Sequence, residues 1–482
     1  MTHPMTSLRI LTLSIATLGL TACASMAPDY ERPQAPVLNQ WPAGTADQAS
    51  AEATPAYQMD WRGYFPDARL QSVIAQALAN NRDLRIAALN IEAARAQYRI
   101  QRADRFPEIT GNASQTVART PGDLSSSGEP VISRRYEVGL GAAWEVDFFG
   151  RIKSLQDQAL ENYLATEEAR RATQVSLVAE VANAWLTLAA DRALLDLAQR
   201  TFDAQTKSLE LTQKSFDLGA ASGLDLSQLK TTTARARADL AAQQAQVIKD
   251  RNALNLLVGN PVDAMLLPAS LADVSLPVAE LPAGVPSEVL VRRPDVLQAE
   301  RQLRAANASI GAARAAFFPT ISLTGNYGTA SASLDGLFES GSRAWSFVPS
   351  IRLPIFNAGA LRASLDVAEI KKDINIATYE RTIQTAFSEV ADALADRATI
   401  NERVAAVSEL VDASRKTFTL SDARYKNGID SFLTQLDAQR TLYSAEQELI
   451  AVRLVEASNK VTLYKVMGGG WQPLKEMTDT AR

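Results

Sequence analysis

Tyr136-Glu137-Val138-Gly139-Leu140-Gly141-Ala142-Ala143-Trp144-Glu145-Val146-Asp147 alternates without a break. Tyr136, Val138, Leu140, Ala142, Trp144 and Val146 fall on one side, and Glu137, Gly139, Gly141, Ala143, Glu145 and Asp147 on the other. A period of two over this length reads as a β-strand with one apolar and one wet face, about 134–147. Directly after it, Ile152 to Leu218 contains no proline and reads as one helix. At 1.5 Å per residue such a helix runs about 100 Å, far longer than globular helices.

Working outward, the same arrangement occurs twice. Phe106-Pro107 returns as Phe318-Pro319, and Arg82-Asp83 is echoed by Pro294-Asp295. Further along, Val181, Phe202, Phe216 and Gly219 return as Val390, Val411, Tyr425 and Gly428. Each repeat opens with a helical stretch, about 67–105 and 287–317, that ends at its Phe-Pro because proline cannot continue the ladder. Strands are expected at about 108–119 and 134–147 in the first repeat, and at about 320–331 and 344–355 in the second. The long helices 152–218 and 361–427 then turn at Gly219 and Gly428 and return over about 224–258 and 432–467, making two helical hairpins. Val181, Leu188, Leu195, Phe202, Leu209 and Phe216 recur every seven residues, as do Val390, Val404, Val411, Phe418 and Tyr425 with Arg397 in the series, a pattern that supercoils a helix on its partners. The expected organisation is a signal (1–22), an extended proline-bearing tether (23–66), a first repeat (67–260), a linker (261–286), a second repeat (287–467) and a tail (468–482).

Two environments produce strands with one greasy and one wet face: a soluble half-buried sheet, or a barrel with lipid outside and water inside. The N-terminus bears on that choice. Arg9 precedes an apolar run from Ile10 to Leu20, and Leu20-Thr21-Ala22-Cys23 is similar to a lipobox, in which Cys23 becomes the acylated first residue of a bacterial lipoprotein. Ala24, not Asp, follows, so the expected address is the outer membrane. No segment after the signal approaches 18 consecutive apolar residues, so a helical crossing is excluded and only a closed sheet could span lipid. Four strands cannot close, since barrels begin at about eight, so several chains must pool theirs.

Composition narrows the chemistry. The 482 residues are 46% hydrophobic and 21% charged, a folded composition, with a formal net charge of -5 that offers no basic excess for nucleic acid. The one His and the one Cys are His3 and Cys23. Once the signal is removed and Cys23 acylated, neither disulfides, Cys/His metal sites nor a histidine base remain. Glu145 and Asp147 are the kind of carboxylate pair a hydrolase could use, although on a barrel they fall on the solvated inner face. The terminal Gly468-Gly469-Gly470-Trp471 lacks the Lys-Ser/Thr of a phosphate loop. No metal, cofactor or enzymatic activity is expected.

Arg292-Arg293-Pro294-Asp295-Val296, Ala305-Ala306-Asn307-Ala308-Ser309-Ile310-Gly311, Ala315-Ala316-Phe317-Phe318-Pro319, Tyr425-Lys426-Asn427-Gly428 and Leu436-Asp437-Ala438-Gln439-Arg440 together resemble the TolC/OprM family of outer-membrane channel-tunnels, most closely its NodT-like lipoprotein branch. The resemblance implies an α+β membrane protein whose four strands per chain join in a homotrimer as one 12-stranded outer-membrane barrel, continued by a periplasmic barrel of helical hairpins. It further implies a passive exit duct for drugs or other small molecules, working with a periplasmic adaptor (membrane fusion) protein and an inner-membrane RND transporter. The exit channel of a type I protein secretion system is the alternative. By motif position Asp437 matches an acidic ring residue of the periplasmic gate, Asp225 a tip-bonding Asp and Tyr425 a tip-bonding Tyr. Asp430 stands where the TolC type has Arg, and Thr434 where it has a second ring Asp, which implies a gate built differently.

Overall fold

A computed structural model describes residues 25–42, 59–275 and 290–469. The signal segment with Cys23, part of the tether, the later part of the linker and the tail after Gly469 lie outside the described residues. The elements are α1 (Ala68–Asn80), α2 (Arg82–Ala103), β1 (Glu108–Thr120), β2 (Val131–Val146), α3 (Arg151–Asp217), α4 (Gly223–Val258), α5 (Pro294–Ala315), β3 (Thr320–Ser331), β4 (Arg343–Arg352), α6 (Ala360–Lys426) and α7 (Phe432–Val466), with a few single turns between them. Both α3 and α6 have 67 residues.

Several boundaries differ from the expectation, each for a local reason. The helical stretch 67–105 is two helices, because Asn81 is extended. Its side chain accepts from the Leu84 amide at 2.9 Å to start α2 and donates to the Leu257 carbonyl at 2.8 Å. Strand β2 begins at Val131, not 134, since β1 is long enough for Thr120 to pair with Val131. Strand β4 ends at Arg352, not 355, just before Pro354, which has no amide to offer a ladder. Helix α5 starts on Pro294, a position where a missing amide costs nothing.

The chain divides into two compact units. The first comprises Met1–Gln34, Asn90–Glu167 and Gln298–Tyr379. Its sheet is antiparallel throughout, in the order β1-β2-β3-β4, so β1 and β4 are both edges. The start of the extended tether is docked against helices. Ser25 and Ser154 share a hydrogen bond of 2.8 Å between their hydroxyls, Asn307 Nδ2 donates to the Pro28 carbonyl at 2.7 Å, and Arg32 donates twice to Glu300 at 3.1 and 2.8 Å. Gly311 makes room for this strap: a Cβ there would fall 2.6 Å from the Ala27 nitrogen. The Ala-Ala-Asn-Ala-Ser-Ile-Gly motif is therefore a seat for the N-terminal strap.

The second unit comprises Ala35–Leu89, Glu168–Leu297 and Glu380–Arg482. Its core includes Trp185, Leu186, Leu188, Ile383 and Tyr464, all fully buried, each large apolar side chain contributing about 1.5–3 kcal/mol. Tyr64 stacks on Tyr464 at 4.7 Å and donates to the Lys460 carbonyl at 2.8 Å. Burial pushes the phenols of both well above the usual range. The Arg-Arg-Pro-Asp motif acts here. Buried Arg293 donates to Asp295, to Glu389 at 2.7 Å and to the Val466 carbonyl at 3.0 Å, tying the entry to α5 to α6 and the end of α7. Along the first heptad series Val181 and Leu188 are buried, Leu195, Phe202 and Leu209 half-buried and Phe216 exposed, so cover thins toward the tip.

Glu300 is the electrostatic keystone of the strap, with its side chain 5% exposed between Arg32 and Arg304. Burial alone would raise its pKa, but the hydrogen bond from Arg304 and the Arg32 charge outweigh that and hold the carboxyl below the usual glutamate range. A depressed folded value stabilises the protein above the unfolded pKa of about 4.3 and is lost as pH falls through the lower folded value. Glu300→Ala should cost about 1–3 kcal/mol and lower the melting temperature of the detergent-solubilised protein at pH 7, with the deficit shrinking below about pH 4. Coincident melting curves of parent and variant at pH 7 would show that the strap contact carries no stability.

Candidate membrane wall and hairpin tips

The register of the sheet sorts every strand residue onto a face. Ile109, Ala142, Gly325 and Phe347 lie in one row, Gly111, Leu140, Tyr327 and Trp345 in the next, and Trp144, Leu323 and Pro349 in another, with Val146, Ile321 and Ile351 beyond. The opposite face carries Thr110, Asn112, Ser114, Glu137, Ser322, Asn326, Ser346 and Ser350. Alternation in four separate segments thus becomes one apolar and one polar surface. Neither is covered by the described residues: Ile109 is 71% exposed, Trp345 74% and Ile351 72%, and Asn112, Ser114, Ser346 and Ser350 on the polar face are exposed too. On the polar face the hydroxyls of Ser322 and Ser350 meet at 2.7 Å.

The apolar face is bounded by aromatics. Tyr136, Tyr327 and Trp345 lie toward the loop end, Tyr136 accepting a 3.0 Å hydrogen bond from Gln115, while Trp144 lies toward the helices and donates to the Arg105 carbonyl at 3.1 Å. Tyr136 and Trp144 are separated by about 26 Å along β2, or about 20 Å of height after a 40° tilt. That fits within the roughly 25 Å apolar band between the aromatic girdles of outer-membrane barrels. Among the described residues no helix is long and apolar enough to cross a membrane.

The carboxylates considered for hydrolysis are already engaged. Arg151 donates twice to Glu145, at 2.9 and 2.7 Å, and Asp147 accepts from the Lys153 amide at 2.7 Å, capping α3. Among the described residues no cluster of three or more His, Cys, Asp or Glu could hold a metal ion.

Both hairpin tips turn through a left-handed glycine, Gly219 at φ 77° and Gly428 at φ 71°, and restart on a serine cap, Ser222 for α4 and Ser431 for α7. Behind them Leu229, Phe432 and Leu436 form a small core against which Leu209 and Tyr425 pack. Tyr425 lies in this cluster with its ring 5.5 Å from that of Phe432, and burial together with the Asp225 charge raises its phenol pKa. The Asp225 charge therefore acts on the Tyr425 phenol, whose ring packs on Phe432. Asp430 lies apart from them, clamped across its own turn by Arg424 at 2.7 and 2.9 Å; that hydrogen bond holds its carboxyl below the usual range. Asp437 is exposed on α7, and its carboxylate has no partner among the described residues.

Sequence reasoning missed Arg424, although a cation six residues before an acid across a glycine turn is a readable clamp. It also missed Gln205, buried in α3, which donates to Gln439 at 2.8 Å and accepts from Thr232 at 3.0 Å, joining three helices. Beside it is an open groove of about 530 Å³ bordered by Arg235, Asp239, Arg440 and Tyr443. Elsewhere in the hairpin Asp191 lies against Asp250, and burial plus that neighbour raise its pKa to about 7.

A sequence model described as outer membrane efflux protein matches residues 73–260 and 285–469. The chain belongs to the outer membrane efflux protein family. It is 49% identical over 464 residues to the toluene efflux pump outer membrane protein TtgC of Pseudomonas putida, covering 96% of each chain. A crystal structure of a membrane protein from Pseudomonas aeruginosa superposes with a TM-score of 0.86 at 43% identity, over 92% of this chain and all of that one. The open-state outer membrane channel MtrE of Neisseria gonorrhoeae gives 0.82 at 39% identity, over 93% and 98%. An outer-membrane channel of this family is thus built here from four barrel strands per chain and two long helical hairpins.

Proposed function

We propose that this protein is the passive outer-membrane exit duct of a tripartite efflux system, conducting drugs, solvents or other small molecules outward. The observation that carries the reading is the sheet: one apolar face, one polar face, neither covered, and two open edges. Three copies would join their strands into one 12-stranded barrel, polar face inward, around a water-filled lumen. The hairpins would continue that lumen into the periplasm, where an adaptor protein and an inner-membrane RND-type transporter supply contact and energy. The kinship with a toluene efflux component supports small apolar substrates over exported proteins. Glu145 and Asp147 are both engaged, which supports a structural role for this carboxylate pair in a duct over a hydrolytic one.

Acylation of Cys23 fits this placement. Ser25 is held by Ser154, at the start of α3 and just below the end of β2. Two residues span at most about 7 Å, so a lipid on Cys23 would have only that short reach from Ser25. The gate assignments also follow the tips. Asp437, exposed and unpaired, is the candidate for an acidic ring in the assembled duct, Tyr425 and Asp225 for a contact holding the tips closed, and the Arg424–Asp430 pair for stiffening one tip.

Deleting the gene in a strain with its cognate pump should raise susceptibility to drugs and solvents, and the plasmid-borne gene should restore tolerance. Unchanged susceptibility with no substrate accumulation, alongside loss of one secreted protein, would instead select the secretion reading. Cys23→Ala should abolish incorporation of labelled palmitate; label retained in that variant places acylation elsewhere. In planar bilayers Asp437→Ala should enlarge single-channel conductance or weaken cation preference, because it removes a ring of carboxylates. Identical traces for variant and parent would remove Asp437 from the gate.

A further inference from the structure

The two repeats are equivalent residue by residue, at an offset of 212 before and along the first strand of each and 209 from the second strand onward. The three-dimensional contacts obey the same rule. Glu108↔Ala143 in β1–β2 becomes Thr320↔Arg352 in β3–β4, and every other pair of the second ladder follows likewise. Between helices, the contact of Tyr98 with Gln156 at 3.4 Å in the first repeat becomes that of Ile310 with Leu365 in the second.

One class of contact has no counterpart among the described residues. Strand β2 of the first repeat pairs with β3 of the second, and Glu161 of α3 is bonded by Arg301 of α5 at 3.2 Å. The equivalents of these partners are β4 and α6 on one side, β1 and α2 on the other, and among the described residues β4 and β1 have no such neighbour. Their equivalent positions are bare and apolar. Where Val146 meets Ile321, the equivalents are Ile355 and Ile109, 93% and 71% exposed. Where Glu161 meets Arg301, they are Ile370 and Leu89, 57% and 59% exposed. Ala165 of α3 is 4% exposed, and its equivalent Ile374 on α6 is 58% exposed.

We infer that a second copy of this chain pairs its β1 with β4 in a register dictated by β2–β3: Ser350 opposite the partner's Ser114, Ile351 opposite the partner's Ala113, and Ile355 opposite the partner's Ile109. Below the sheet Ile370 meets the partner's Leu89. This rests on the homotrimer reading and deepens it by fixing the register. Face parity agrees with it. Ile351 and Ala113 both belong to the apolar surface of the isolated sheet, Ser350 and Ser114 both to the polar one, so the two surfaces run on across the joint without a flip. The joint also removes both open edges, which hydrocarbon does not tolerate. The charged contact used inside the chain is replaced between chains by an apolar one, so each interface recognises its own partner strand.

The test is oxidative cross-linking of double-cysteine variants in membranes. Ser114→Cys with Ser350→Cys and Ala113→Cys with Ile351→Cys sample both faces, and hence both kinds of antiparallel pair, one of which has the closer Cβ spacing. Thr116→Cys with Ser350→Cys is two residues out of register on the same face, at about 7–8 Å between residues. Parent and single-cysteine variants control for Cys23. At least one in-register pair should yield covalent dimers and trimers, and the shifted pair should not. Preferential cross-linking of the shifted pair, with a native mass of three chains, overturns the register and leaves the trimer standing. No cross-link from either in-register pair in a three-chain particle overturns the edge pairing. A native mass of one chain for the parent overturns the trimer reading itself, and cross-links confined to the monomer show a barrel closed within one chain.

Discussion

Hydrocarbon cannot hydrogen-bond a peptide group, and that constraint organises this protein from β1 to β4. Each open strand edge in lipid leaves amides and carbonyls unpaired at several kcal/mol apiece. A four-stranded sheet with an apolar face and two edges is therefore an incomplete object. Its apolar residues are left exposed by the described residues, and its polar face needs water. A closed wall shared among chains satisfies both faces and both edges at once.

Duplication makes that closure economical in information. The sequence that pairs β2 with β3 within a chain has a counterpart ready to pair β4 with β1 between chains, because the corner from second strand to long helix and the Phe-Pro before the first strand each occur twice. The two joints differ in side chains while agreeing in backbone register. Inside the chain Arg301 reaches Glu161, whereas at the equivalent outer positions stand Leu89 and Ile370. The long helices obey a related economy. Helices of sixty-seven residues take most of their stability from packing, and the buried face of α3 thins toward its tip, where a small cluster around Phe432 and, across the other turn, a clamp at Asp430 hold the ends.

Much of this was legible from patterns that need no partner to interpret. Alternation located four strands, proline ended the opening helices, glycine marked both tips, and the absence of proline defined the two long helices. The signals that failed were those whose meaning depends on a distant residue. Asn81 reads as an ordinary helical position until Leu257 is known to lie beside it. The proline-bearing strap reads as a tether until Gly311, Asn307 and Glu300 are seen to seat it. Among the tip residues, Tyr425 packs on Phe432 behind the turn and Asp430 is taken up by Arg424, which no periodicity marks.

The sequence by itself determined the element types, their order, the twofold repetition and the face each strand residue takes, because periods of two and of seven, proline and glycine act through local backbone geometry. The tertiary structure decided which strands are neighbours, in what register, and which edges are left open, because hydrogen bonds between strands join residues far apart in the chain. It also decided that the family motifs Arg-Arg-Pro-Asp and Ala-Ala-Asn-Ala-Ser-Ile-Gly are a clamp and a seat. Arg293 and Gly311 acquire those roles only through what packs against them, Val466 and Glu389 in one case and Ala27 in the other.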